Sequence, residues 1–91
     1  MTGKELSESL IASHDQGAKG DDPIVVEALT KGISELDPEE TWRFVFAMGA
    51  AGRGDPSRTT FLTALNGAVA GRDEFKAAIH AMYAVPKPAG L

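Results

Sequence analysis

The sequence predicts a small all-α domain, a compact bundle of about five short helices, and three observations carry that prediction. Three Asp-Pro pairs, Asp22-Pro23, Asp37-Pro38 and Asp55-Pro56, each stand directly before an apolar pattern at helical spacing. An aspartate in that position accepts from the free N–H groups of a first turn, and a proline after it gives up a donor that would have had no partner. Apolar residues recur at intervals of three and four along most of the chain, the period of an amphipathic helix. Finally, 91 residues with 43% apolar and 24% charged side chains suit one folded domain with a modest core, not a disordered chain.

The first helix is predicted from about Thr2 to Gln16. Thr2 and Glu5 have capping-box spacing, Leu6, Leu10 and Ile11 make one stripe, and Gly17 supplies the stop. A short loop, "GAKGD", follows. The second helix spans about Pro23 to Leu36, with Val26, Leu29, Ile33 and Leu36 inward. The third begins at Pro38, with Asp37 and Glu40 spaced as a second box. It runs through "TWRFVFAMGAA", which is apolar nearly all round, so it is expected to be the central and most buried helix. Aromatic and β-branched residues in "WRFVFAM" also suit a strand. The cap in front, and the lack of any partner strand elsewhere, decide for a helix.

The fourth helix runs from about Pro56 to Ala70, with Phe61, Leu62, Leu65 and Val69 inward and Gly71 as its stop. The fifth runs from about Asp73 to Ala84, with Phe75, Ala78, Ile79 and Met82 inward. Residues 1–84 thus form one helical domain. Residues 85–91, "VPKPAGL", are expected as an extended tail, since Pro86 and Pro88 cannot continue a helix.

The segments "VEALTKGISELDPE" and "LTALNGAVAGRDEF" echo each other at Ala28/Ala64, Leu29/Leu65, Ile33/Val69 and Asp37/Asp73. Read as a duplication, the echo makes two stacked helical hairpins, second with third and fourth with fifth, plus an N-terminal helix. Such an arrangement resembles HEAT-type repeats, whose units also often open with Asp-Pro. The resemblance covers two units and implies a binding surface rather than a catalyst.

Composition narrows the function. There is no cysteine, so disulfides and thiolate metal sites are excluded. The polar start "MTGKELSESL" has no apolar signal region, and no stretch nears the roughly 18 apolar residues of a membrane span. A cytoplasmic protein is the expectation. With a net charge of −4 and its basic residues scattered singly, the chain lacks the basic face of a nucleic-acid binder.

The stretch "GAAGRGDPSRTT" invites chemical readings, and most of them fail. Gly49 and Gly54 have P-loop spacing, but Asp55 stands where the phosphate-binding lysine is required. The dinucleotide pattern fails because Ser57 occupies the third glycine position. Arg53-Gly54-Asp55 spells an adhesion tripeptide, yet Asp55 is engaged as a helix cap. "GDPSRTTFLTAL" resembles the Asp-Ser-Leu helix start at which acyl carrier proteins bear phosphopantetheine. That resemblance implies modification on Ser57; Pro56 interrupts the dipeptide and Arg58 replaces the leucine. As a joint between two helices, by contrast, the stretch is explained at every residue.

His14 and His80 lie far apart, and neither has an acidic or histidine neighbour at metal-ligand spacing. His14 reads as a cation near a helix C-terminus or a residue at the edge of the core. Glu39 and Glu40 diverge on a helix and complement its dipole instead of converging on a substrate. Gly67 and Gly71, among Ala64, Ala68 and Ala70, give the fourth helix a smooth face. It suits a close helix neighbour from the same chain, or from a second copy in a homodimer.

The sequence therefore points to a non-enzymatic protein–protein interaction module, an adaptor, regulator or assembly factor, with no cofactor, no metal and no pocket furnished for chemistry. The expected contact residues are Trp42, Phe44 and Met48 as apolar anchors, with Arg53 and Arg58 steering an acidic partner group. The competing readings are an acyl-carrier-like domain modified on Ser57 and a small DNA-binding regulator.

Overall fold

The computed structural model describes residues 1–91 and contains five helices and no strand: α1 (Gly3–Asp15), α2 (Pro23–Ser34), α3 (Pro38–Gly52), α4 (Pro56–Val69) and α5 (Asp73–Tyr83). The all-α bundle is thus as expected, and each Asp-Pro pair opens a helix. Asp37 accepts from the Glu40 N–H at 2.8 Å and Asp55 from the Arg58 N–H at 3.1 Å. Asp22 differs. Its carboxylate turns back to the Lys19 N–H at 2.8 Å, so it tightens the preceding loop and leaves the α2 amides uncapped. The Thr2–Glu5 capping box closes in both directions, at 2.8 and 3.1 Å. Gly17 ends α1 with φ of 97°, a left-handed conformation that glycine adopts without steric penalty.

Ten apolar residues make the core: Leu6 and Leu10 of α1, Val25, Val26, Leu29 and Ile33 of α2, Phe44 of α3, and Phe61, Leu65 and Val69 of α4. The most buried helix is α2, not α3 as its composition suggested. Half of α2 is buried, whereas α3 buries only Thr41 and Phe44 and leaves Val45 and Phe46 exposed. The reason is orientation. α2 and α3 both pack against α1, α4 and α5, but α3 keeps the side carrying Val45 and Phe46 toward solvent, whereas α2 turns six residues into the core.

The sequence echo does not correspond to packing units. α2 scarcely touches α3, and α4 scarcely touches α5; instead α1 and α5 each bridge α2 and α3. Stacked hairpins are therefore replaced by an interleaved bundle. Its radius of gyration, 12.2 Å, matches a single folded domain of this length.

Two glycines set the closest approaches. A Cβ on Gly3 would meet the Glu40 carbonyl and lie 2.7 Å from the Phe44 nitrogen of α3. A Cβ on Gly20 would meet the Phe61 carbonyl and lie 2.7 Å from the Leu65 nitrogen of α4. In both places a chain segment rests directly on the backbone of a helix, which only glycine allows.

The segment after α5 is not free. Trp42 Nε1 donates to the Met82 carbonyl at 2.7 Å and more weakly to that of Val85 at 3.4 Å. Lys87 Nζ sits 5.3 Å from the centre of the Phe46 ring. The tail thereby lies along the outer face of α3.

Candidate functional site

The expected contact residues separate onto different faces of α3 and α4. Trp42 is half-buried, stacked edge-on against Tyr83 at 5.5 Å and holding the chain after α5 in place. Phe44 is a core residue, 4% exposed, so it supports a surface from beneath and does not present one. Met48 is half-buried and does reach the surface, in a groove between α3 and α4.

That groove, about 250 Å³, is lined almost wholly by hydrophobic side chains. Leu29, Phe44 and Leu65 make its floor, Val45 and Met48 one wall, and Leu62 and Phe75 the other. Val45, 37% exposed, opens its wall to solvent. The groove continues past Met48 and Leu62 into a polar half lined by Gly52, Arg53, Thr59, Thr63 and Asn66. Arg53, exposed at the C-cap of α3, makes no ion pair.

Arg58 is placed differently. Its guanidinium lies 3.4 Å from Asp15 Oδ2, and Nε lies 3.7 Å from Asp55 Oδ2. Nε is buried and that separation exceeds a hydrogen bond, so Asp55 offers it only ion-pair attraction. Arg58 is thus committed inside the chain and Arg53 is the free cation.

The sequence reading missed a second constellation at the junction of α1 and α4. The last turn of α1 closes with the Ala18 N–H on the Ser13 carbonyl at 3.0 Å and the Gly17 N–H on the His14 carbonyl at 2.9 Å. This closure fixes His14, whose ring meets the Phe61 ring edge-on at 5.3 Å. His14 Nδ1 lies 2.9 Å from Asp15 Oδ1, and His14 Nε2 lies 2.8 Å from Ser57 Oγ. The hydrogen bond from His14, then the Arg58 guanidinium, hold the Asp15 carboxyl below its ordinary value of 3.8. A dipeptide His-Asp at a helix end carries no signal of a serine forty-three positions away. Ser57, the serine singled out by the acyl-carrier resemblance, is exposed but bonded to an imidazole.

The smooth face of α4 has no neighbour within the chain: a Cβ on Gly67 or Gly71 would meet nothing within 4 Å. No helix is long and apolar enough to cross a membrane. No protein-family model, curated protein or solved structure matches the chain.

Proposed function

We propose that the protein is an interaction module that acts by seating a segment of a protein partner in the α3–α4 groove. The observation that carries this reading is the juxtaposition of an apolar pocket with a free cation along one continuous groove. Val45, Met48, Leu62 and Phe75 offer unconsumed apolar surface, and Arg53 stands unpaired at the polar end. The fitting occupant is an amphipathic helix that inserts a large apolar side chain beside Met48 and places a carboxylate near Arg53. Burying such a side chain contributes roughly 1.5–3 kcal/mol, and a rim charge adds steering more than affinity.

Two substitutions test the reading without entering the core, Val45→Asp in the pocket wall and Arg53→Glu at the polar end. A partner retained by the immobilised wild type should be lost on Val45→Asp and weakened by Arg53→Glu, with helicity unchanged in both. Equal retention by all three proteins would refute the groove. A doubled solution mass that reverts in Val45→Asp would identify the occupant as a second copy.

A further inference from the structure

Three side chains that groove binding does not use form a hydrogen-bonded line at the α1–α4 junction: Asp15, His14 and Ser57. We propose that Ser57 is a nucleophilic hydroxyl that accepts an acyl group from an activated acyl donor, a thioester or an aryl ester, with His14 as general base and Asp15 as its positioning residue.

The tautomer follows from the partners. An ionised carboxylate only accepts, so the proton of the neutral ring resides on Nδ1, 2.9 Å from Asp15 Oδ1. The lone pair on Nε2 then faces Ser57 Oγ, 2.8 Å away, and the hydroxyl donates to it. Helix closure on one side and the Phe61 ring on the other hold the imidazole, which is only 16% exposed, in that orientation. The arrangement has the nucleophile, base and orienting group in hydrogen-bond sequence.

The surroundings suit an acyl donor. Ser57 is exposed in the first turn of α4, at the positive end of the helix dipole. The Arg58 N–H is taken by Asp55, but the Ser57 N–H has no acceptor within the chain. It can therefore donate to the oxygen of a carbonyl under attack. Beside it an open groove of about 440 Å³ runs between the 18–21 loop and α4, with Ala18, Phe61 and Ala64 as apolar walls. An acyl chain fits along those walls.

The step balances without an outside oxidant or reductant. Ser57 Oγ gives its proton to His14 Nε2 and bonds to the acyl carbon. The tetrahedral centre collapses with loss of the thiolate or aryloxide, which takes the proton back from Nε2, and Ser57 is left as an ester. With one amide donor on the oxyanion, the reaction is a slow, single modification of the chain.

The test incubates the full chain with p-nitrophenyl acetate and, separately, with acetyl-coenzyme A, followed by peptide mass analysis. One equivalent of leaving group and an acetyl mass on the Ser57 peptide are expected from at least the aryl ester. Ser57→Ala, at an exposed position, should abolish both while keeping the helical circular dichroism spectrum of the wild type. His14→Gln should slow acylation about a hundredfold, the low end of general-base effects. The wild-type rate should follow one titration that His14→Gln lacks and that Asp15→Asn displaces; a mere tie between helices would move stability but not this profile. The charges facing His14 are Asp15, Arg58, Asp55, Lys19 and Asp21, and Lys19→Gln with Asp21→Asn should leave that titration present. Acetyl found on lysines with Ser57 unmodified, an undiminished rate in Ser57→Ala or His14→Gln, or no acylation by either donor would overturn the proposal.

Discussion

Replacing Gly20 by alanine should destabilise the protein, although the same exchange usually stabilises a loop. The ordinary benefit of Gly→Ala, about 0.4–1 kcal/mol, comes from a less flexible unfolded chain. Here the new methyl would meet the Phe61 carbonyl and the Leu65 nitrogen at 2.7 Å, and both belong to the backbone of α4. Neither can swing aside as a side-chain tip would. The loop must lift off the helix, an overpacking strain that typically costs about 1–3 kcal/mol. The net loss is about 1–2 kcal/mol, equivalent to a fall in Tm of roughly 5–15 °C for a domain of this size. Gly67→Ala is the internal control: it lies in α4, and its Cβ would meet nothing within 4 Å. That variant should gain about 0.5–1 kcal/mol through helix propensity. Urea unfolding of both, followed by circular dichroism, compares the signs directly. A Gly20→Ala protein as stable as wild type would show that the loop does not rest on α4 as described.

Ile33→Ala, at a side chain with 0% exposure in the middle of α2, should cost about 2–5 kcal/mol in the same unfolding assay. Trp42→Phe leaves the Met82 carbonyl without its indole donor and should cost about 1 kcal/mol. Asp15→Asn should lower stability at neutral pH, where the wild-type carboxylate is ionised and held by His14 and Arg58. Because the folded-state value lies below the ordinary 3.8, that advantage is present above 3.8 and fades as pH falls through the folded value. Denaturation curves of the two proteins should therefore converge in strong acid and diverge toward neutrality.

The groove and the acyl site are separable by these variants. Val45→Asp lies on the α3–α4 groove, and Ser57→Ala lies on the far side of α4 from it. Loss of partner retention with intact acylation, and the converse, are distinct outcomes.

Helix starts were legible because caps are local. Asp37 and Asp55 meet amides three residues away, and Thr2 with Glu5 close on each other, so short spacing was sufficient to place them. The inward stripe of α1, Leu6, Leu10 and Ile11, was equally legible from its period. Burial of α3 was not. Trp42, Phe44, Val45, Phe46 and Met48 are apolar on every side, and periodicity says nothing about which sides find neighbours. One side met α1, one was covered by α5 and the tail, and one was left open as the groove.

By itself, then, the order of residues determined where each helix begins, which stripe of most helices turns inward, and that the chain folds without sulfur chemistry. These follow from interactions between residues a few positions apart, or from composition. Which helices touch, that α2 and not α3 lies deepest, and that His14 meets Ser57 were decided by the tertiary structure alone. Such contacts join residues about forty positions apart, and chain geometry leaves no local trace of them until the core has brought the helices together.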